Sequence, residues 1–145
     1  MNSRPNIAFC GTESKVKGVP QRALRVLIAD DEPEIMTLVA AALKKWRFNC
    51  QYATDGATAI DLARTFLPEI LVLDVMLPDL NGFEVLMLLK RDHRTRHIKI
   101  ILLTSCDTAS DIVRGYRLGA DDYVTKPCIL MELGARVKHL SPWKD

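Results

Sequence analysis

Short apolar runs alternate with segments of helical spacing from residue 24 to residue 140. Five runs have the length and largely continuous apolar character of strands buried on both faces, at 24–29, 50–53, 69–73, 99–103 and 123–124. Between and after these runs, apolar residues recur every three or four positions, which predicts five helices. Their stripes contain Ile35, Leu38, Val39, Ala42, Leu43 and Trp46; Ala57, Ile60 and Ala63; Phe83, Leu86 and Met87; Ile112, Val113 and Tyr116; and Leu130, Leu133, Val137 and Leu140.

This alternation predicts a single α/β domain. Strands joined by connections of helix length run parallel with right-handed crossovers, so we expect a doubly wound five-stranded parallel sheet with helices on both faces. Pro33 suits the first turn of the first helix, and Gly119 suits the end of the fourth. Gly134 interrupts the last helix, where glycine costs about 1 kcal/mol relative to alanine, and we expect it to loosen that part of the fold.

The ends of the chain have a different character from the body. Residues 1–23 mix small and polar residues without a sustained period, which predicts a flexible N-terminal extension. Residues 24–140 form the predicted domain, and residues 141–145 are a C-terminal tail or the start of a linker. The extension carries four basic residues and one acidic residue, so the net charge of +2 belongs to it and the body is near neutral.

Composition narrows the function classes. A chain of 145 residues that is 48% hydrophobic and 26% charged suits one globular domain. No apolar run approaches the roughly 20 residues that span a bilayer, and the start lacks a secretory-signal core, so we expect a cytoplasmic protein without a membrane partner. A near-neutral body argues against direct nucleic-acid binding by the domain.

The four cysteines follow no metal-binding or redox spacing. We interpret them as free thiols that pack as small hydrophobic groups. A redox role for Cys106 and Cys128, which could lie near the site described next, is a weaker alternative.

Polar residues follow four of the predicted strands at the point where each strand ends. Asp30 and Asp31 follow the first strand, Asp74 the third, Thr104 the fourth and Lys126 the fifth. The carboxyl ends of parallel strands meet at one edge of the sheet, where ligands bind. Clustered carboxylates repel one another, and a divalent cation relieves the repulsion; oxygen ligands without His or Cys favour Mg²⁺ over zinc. An Asp beside Mg²⁺, a lysine and a hydroxyl is equipped to accept a phosphoryl group.

Each residue also has an ordinary structural interpretation. Asp30 or Asp31 could cap the first helix, Thr104 could bond to the backbone, and Lys126 could be a solvated surface lysine. Their occurrence together at successive strand ends favours a site. Asp79 and Asn81, in contrast, are expected to serve the turn into the third helix rather than bind metal.

At these residues the chain becomes similar to a known family. The segments VLIADDEPE, LVLDVMLPDLNGFE, ILLTS and GADDYVTKP resemble the receiver domain of two-component response regulators. The resemblance implies a flavodoxin-like strand order of 2-1-3-4-5. It also implies that Asp74 is the phosphoacceptor, that Asp31 ligates Mg²⁺ directly and Asp30 mainly through water, and that the backbone carbonyl of Met76 completes the coordination.

The resemblance assigns further roles at the fourth and fifth strands. It implies that Thr104 and Lys126 contact the phosphoryl group and that Tyr123 is an aromatic switch that turns inward as Thr104 moves. The bond between Lys126 and Pro127 is expected to be cis. Ser105, Cys128 and Lys99 depart from the residues that are common in the family at their positions.

The resemblance also implies partners. A sensor histidine kinase or a histidine phosphotransfer protein would donate the phosphoryl group, and the domain would act as a signalling phosphoacceptor rather than as an enzyme. Homodimerisation through the fourth helix, fifth strand and fifth helix is possible: Glu132 and Arg136 fit the expected charge pairs, whereas Ile112 and Arg117 do not.

Three alternatives stay open. A pseudo-receiver would bind partners without phosphorylation. A metal-dependent phosphatase would use an Asp nucleophile, although such enzymes usually carry a second Asp where this chain has Met76. The chain could also be the receiver of a larger regulator with a winged-helix DNA-binding or diguanylate cyclase output.

Overall fold

A computed structural model describes residues 15–16, 19–20, 23–105, 108–126 and 130–142. Five strands and five helices alternate from residue 25 onwards, in agreement with the predicted pattern. The strands are β1 (Arg25–Ala29), β2 (Asn49–Ala53), β3 (Ile70–Asp74), β4 (Lys99–Thr104) and β5 (Asp122–Thr125). The helices are α1 (Pro33–Lys44), α2 (Gly56–Phe66), α3 (Gly82–Arg91), α4 (Ala109–Arg117) and α5 (Leu130–Leu140).

The strands form one parallel sheet in the order β2-β1-β3-β4-β5, which confirms the predicted topology. Ala29 at the end of β1 lies opposite Leu73 of β3, and Thr104 at the end of β4 lies opposite Thr125 of β5. This register brings the carboxyl ends of the strands to one level, so the residues that follow them meet at one edge. Edge strand β2 differs from the expectation of full burial, because three of its five positions are exposed.

Apolar side chains cover both faces of the sheet, as the doubly wound prediction requires. On one face, β1, β3, β4 and β5 pack against Val39 and Leu43 of α1 and Leu133 and Val137 of α5. The other face packs against α2 and α3, whose buried residues include Ile60 and Leu86. Alternate side chains of one strand therefore enter two separate cores, which is why its sequence is apolar throughout.

Helix α1 is shorter than its apolar stripe predicts. It ends at Lys44, so Trp46 lies in the turn beyond it and is 38% exposed. Leu38, another member of the stripe, is 50% exposed, and the residues that α1 buries are Val39 and Leu43. The prediction that Leu38 and Trp46 belong to the core of α1 was therefore wrong.

Gly134 is a packing position rather than a weak point of α5. A Cβ built on Gly134 would lie 2.8 Å from Cδ1 of Trp46 and still closer to Nε1 of the same ring. The absence of a side chain lets the indole of Trp46 pack directly on α5. We expected Gly134 to loosen the fold; in the structure it permits the contact between α5 and the end of α1.

The helix ends carry the expected local signals. Pro33 begins α1, and α4 is followed by Gly119 at a positive φ of 109°, a conformation that favours glycine. In α3, the side chain of Asn81 and the side chain of Glu84 form a reciprocal capping box.

The segment before β1 is described only in part. Lys15–Val16 pairs with Val19–Pro20 in a short antiparallel ladder. Residues 1–14, 17–18 and 21–22 of the predicted flexible extension lie outside the described residues, and the extension stays a prediction. Of the predicted tail at 141–145, residues 141 and 142 are described and Ser141 is 2% exposed; the tail also stays a prediction. Among the residues that the structure describes, no helix has the length and apolarity required to cross a bilayer.

Candidate functional site

Three carboxylates meet at the carboxyl edge of the sheet. Each of Asp30, Asp31 and Asp74 offers one oxygen to a group of atoms that all lie within 4.8 Å of one another. Asp30 is fully buried and Asp74 is 2% exposed, whereas Asp31 faces solvent. The structure thus brings together the three acidic residues that the sequence analysis singled out.

Backbone groups orient the two buried carboxylates. Asp30 Oδ1 accepts a hydrogen bond from the backbone N–H of Glu32 at 2.9 Å, and the backbone N–H of Asp30 donates to the carbonyl of Ala53 at 3.0 Å. Asp74 Oδ1 accepts from the backbone N–H of Met76 at 3.2 Å. One oxygen of each carboxylate is held in this way, which leaves the other to interact within the cluster.

The ammonium group of Lys126 lies among the carboxylates. Its Nζ is 3.0 Å from Asp30 Oδ2, 3.2 Å from Asp74 Oδ2 and 2.5 Å from Glu32 Oε1. The backbone N–H of Lys126 donates to the carbonyl of Thr104 at 2.8 Å, which fixes the chain beside the end of β4. The contact with Glu32, which lies 94 residues away in sequence, was not anticipated.

The pKa values follow from burial and from this packing of charges. Burial raises the pKa of Asp74, the negative charge of Asp30 raises it further, and the Met76 N–H and Lys126 oppose the shift without cancelling it. Burial alone would lower the pKa of Lys126, but its contacts with Glu32, Asp30 and Asp74 outweigh burial and raise the pKa above its usual value. Lys126 is therefore charged, and its single charge does not neutralise the cluster.

The donor set fits a magnesium ion. Asp30 Oδ2 is buried and accepts no hydrogen bond of good geometry. The ammonium of Lys126 lies 3.0 Å away and forms an ion pair with it, but the angles do not suit a hydrogen bond. A buried carboxylate oxygen in this condition has capacity for a cation or an ordered water. The clustered ligands are all carboxylate oxygens, which suits Mg²⁺ and not zinc.

Gly82 permits the close packing beneath Asp74. A Cβ on Gly82 would lie 2.6 Å from the Cα of Val75 and would also overlap the carbonyl oxygen of Asp74. The N–H of Gly82 donates to the carbonyl of Val75 at 2.7 Å, so the start of α3 lies directly against the residue after Asp74. Backbone atoms cannot move aside as a side chain can, so the position accepts only glycine without distortion.

Asp79 binds a different helix from the one expected. Asn81 caps α3, as predicted, but the carboxylate of Asp79 accepts from the backbone N–H groups of Gly56 at 2.6 Å and Ala57 at 2.9 Å, at the start of α2. These two bonds lower the pKa of Asp79 to about 2. Asp79 thereby ties the loop after Asp74 to α2, a link that local sequence could not reveal because the partners lie 23 and 22 residues away.

The remaining predicted site residues lie near this edge. Thr104 is fully buried at the end of β4, and Tyr123 of β5 is half-buried against the core beside Gly115. Met76 follows β3, and its side chain is 60% exposed. The roles that the resemblance gives these three residues stay predictions.

Several predictions fall outside the described residues. Pro127, whose bond to Lys126 is predicted to be cis, and the thiols of Cys106 and Cys128 are among them. Cys50, which is described, is half-buried, and burial raises the pKa of its thiol, in agreement with a small hydrophobic group.

Comparison with known proteins gives the family context for this geometry. A family model described as the response regulator receiver domain matches residues 26–138. The DNA-binding dual master transcriptional regulator RpaA of Synechocystis is 41% identical over 116 residues, which cover 80% of this chain and 48% of RpaA. The response regulator PleD of Caulobacter vibrioides is 40% identical over 120 residues, which cover 83% of this chain and 26% of PleD.

Solved structures agree with these relatives. The BeF3-activated receiver domain of DrrB, a response regulator of Thermotoga maritima, matches with a TM-score of 0.74 and 30% identity, covering 82% of this chain and 97% of that one. The chain spans less than half the length of RpaA and about a quarter of PleD.

Proposed function

Because the chain belongs to the response regulator receiver domain family, we propose that it accepts a phosphoryl group on Asp74 from a sensor histidine kinase or a histidine phosphotransfer protein. The observation that supports this proposal is the position of Asp74, a buried carboxylate that shares one sheet edge with Asp30, Asp31 and Lys126. The domain acts as a signalling phosphoacceptor rather than as an enzyme with a separate substrate. We place it in the cytoplasm, where its donors act.

The acidic residues are the proposed magnesium site. Asp31 and Asp74 would ligate Mg²⁺ directly, together with the backbone carbonyl of Met76, and Asp30 would act mainly through water. When bound, the ion supplies positive charge that offsets both the carboxylates and the phosphoryl oxygens. The raised pKa of Asp74, which results first from burial and then from the charge of Asp30, supports this assignment, because Lys126 alone does not offset these two effects.

The transfer step uses Asp74 as the nucleophile. One carboxylate oxygen attacks the phosphorus of the donor's phosphohistidine; an O–P bond forms while the N–P bond breaks. The imidazole nitrogen of the donor keeps the electron pair of the broken bond. The product is an acyl phosphate on Asp74, and no oxidant or other co-reactant is consumed.

Lys126 and Thr104 act on the phosphoryl oxygens. The ammonium of Lys126, already 3.2 Å from Asp74, stays protonated because its pKa is raised, so it offers a positive charge to the group as it arrives. The hydroxyl of Thr104 donates a hydrogen bond to a phosphoryl oxygen. As it forms this bond, the side chain of Thr104 moves towards the phosphoryl group and Tyr123 turns inward. These two movements then alter the face formed by α4, β5 and α5.

That face is the proposed output surface. Arg136 of α5 is already engaged within the chain, where it bonds to Asp122 at 2.8 Å and to Glu132 at 2.8 Å. A homodimer through this face would require these contacts to rearrange or to be shared with the second copy. An output domain of the winged-helix or cyclase type belongs to this proposal as a possible neighbour in a longer protein, since the relatives extend well beyond the matched region.

The test is direct phosphorylation. The protein is incubated with Mg²⁺ and acetyl phosphate, or with a cognate kinase, and its intact mass is followed. We expect the mass of one phosphoryl group to be added to the wild type but not to the Asp74→Asn variant. Asp61→Asn, which removes an exposed carboxylate on α2, is the matched control and should be labelled like the wild type. Failure of both donors to label Asp74 would refute the proposal.

A further inference from the structure

We propose that Glu32 competes with the phosphoryl group for Lys126 and thereby slows phosphorylation of the resting protein. This inference rests on the proposed function of Asp74. The observation behind it is the ion pair between Glu32 Oε1 and Lys126 Nζ at 2.5 Å, shorter than the distances from Nζ to either buried Asp. Glu32 would be a positioning residue, because it acts on the reacting group only through Lys126.

The argument begins with the number of donors. A lysine ammonium carries three N–H groups and accepts no hydrogen bond. Three carboxylate oxygens surround Nζ in the structure, from Glu32, Asp30 and Asp74. Glu32 and Asp74 accept hydrogen bonds from Nζ, whereas Asp30 Oδ2 lies 3.0 Å away as an ion pair without hydrogen-bond alignment. A phosphoryl oxygen that binds Lys126 therefore displaces one of the two hydrogen-bonded oxygens or crowds in beside Asp30 at the remaining donor.

Glu32 is the partner that leaves most easily. Asp30 and Asp74 are fully and almost fully buried, so an oxygen that lost its cation there would have no water to replace it. The side chain of Glu32 is 56% exposed, so water can solvate its carboxylate as soon as the pair opens. A phosphoryl oxygen therefore accepts the hydrogen bond that Nζ of Lys126 otherwise donates to Glu32.

The backbone of Glu32 is anchored, whereas more than half of its side chain is exposed to solvent. Its N–H donates to Asp30 Oδ1 at 2.9 Å, which anchors residue 32 at the entrance to the site. Glu32 is also the N-cap residue of α1, but its side chain makes no capping hydrogen bond. Replacing the carboxylate by an amide should therefore remove the competing charge and leave the start of α1 intact.

The expected effect is modest and measurable. An ion pair with one largely solvated partner shifts an equilibrium by up to about fivefold. We expect Glu32→Gln to speed labelling of Asp74 by acetyl phosphate by roughly two- to fivefold at low salt. The gap from the wild type should narrow near 1 M salt, where the screening length falls to about 3 Å.

The experiment compares Glu32→Gln with Glu34→Gln. Glu34 is an exposed acid in the first turn of α1, so its replacement changes the net charge equally and leaves the Glu32–Lys126 pair in place. Labelling rates are measured for the wild type and both variants with Mg²⁺, at low and high salt. A second readout is the side-chain ammonium NMR signal of Lys126 in metal-free protein, which should shift in Glu32→Gln and stay in place in Glu34→Gln.

The outcomes separate this inference from the function on which it rests. Faster labelling of Glu32→Gln alone, with a salt-dependent gap and a shifted Lys126 signal, supports the competition. If the wild type is labelled but Glu32→Gln is equally fast or slower, or if Glu34→Gln accelerates labelling as much, the competition is refuted and the function of Asp74 stands. If Asp74 of the wild type is not labelled by any donor, both proposals fail.

Discussion

Replacing Gly134 by alanine is a sharp test of how α5 packs. At an exposed helix position where the new methyl group contacts nothing, this substitution stabilises a protein by about 1 kcal/mol, because alanine has the higher helix propensity. In this chain, the new Cβ would lie 2.8 Å from Cδ1 and Cε2 of Trp46 and closer still to Nε1. The indole, which stacks on Phe48 with ring centroids 6.0 Å apart, would have to move.

The two effects oppose each other, and their sizes decide the sign. Forcing extra volume into a packed contact costs about 1–3 kcal/mol. Subtracting the propensity gain of about 1 kcal/mol leaves a net loss of about 1 kcal/mol in the free energy of unfolding for Gly134→Ala. If Trp46 is first replaced by alanine, the obstacle is gone, and the same substitution should stabilise the protein by about 1 kcal/mol.

The measurement is a double-mutant cycle in urea, with unfolding followed by circular dichroism because half of the variants lack Trp46 and so differ in tryptophan fluorescence. The wild type, Gly134→Ala, Trp46→Ala and the double variant give a coupling free energy, which we expect to be about 2 kcal/mol. A stabilising effect of Gly134→Ala in the presence of Trp46, equal to its effect in the absence of Trp46, would show that the two residues do not constrain each other.

Three other predictions concern the site and the loop beside it. Asp74→Asn removes a buried charge, so without Mg²⁺ this variant should have a Tm roughly 4 °C above that of the wild type, the shift that about 1 kcal/mol gives in a domain of this size. Calorimetry should also show that Mg²⁺ stabilises the variant much less than it stabilises the wild type. Gly82→Ala should destabilise the fold by about 3 kcal/mol in urea, since its Cβ would overlap the backbone of residues 74 and 75. Because the pKa of Asp79 is lowered to about 2, its stabilising bonds are present above the usual pKa near 4 and are lost as the pH falls towards 2. The stability difference between wild type and Asp79→Asn, measured by urea titration at each pH, should therefore be largest above pH 4, decrease as the pH falls below 4 and disappear only below pH 2.

The meeting of Asp30, Asp74 and Lys126 could be predicted because strand ends are well defined in this sequence. Within the predicted strand at 69–73, residues 70–73 are continuously apolar and the run stops before Asp74, and the predicted parallel topology places such ends side by side. The error in each boundary was one residue or so, which is too small to move a residue to the opposite edge of the sheet.

The contacts that could not be predicted involve residues that their immediate sequence neighbours already explain, as part of a turn, a helix start or a helix. Glu32 precedes a helix-starting proline and is adequately explained as part of that start, although it contacts Lys126. Asp79 is explained by its own turn, although it binds Gly56. Helix propensity alone describes Gly134 as destabilising, and only the position of Trp46 shows that a side chain there would overlap the indole ring. In each case the residue has a structural role in a tertiary contact that rules based on neighbouring sequence do not reveal.

The placement of the acidic cluster also explains how the fold tolerates it. Asp30 directly follows β1 and Asp74 ends β3, and both strands have a hydrogen-bonded neighbour on each side. Residues 26–29 and 70–73 are fully or almost fully buried, so the strands are held by two apolar cores and do not depend on the charges at their ends. Relief of the repulsion by a cation or by a proton therefore need not rearrange the sheet. The free energy that the cluster costs in the resting state is available to favour binding of positive charge at this edge, and the loops that carry Glu32 and Met76 are the parts placed to respond.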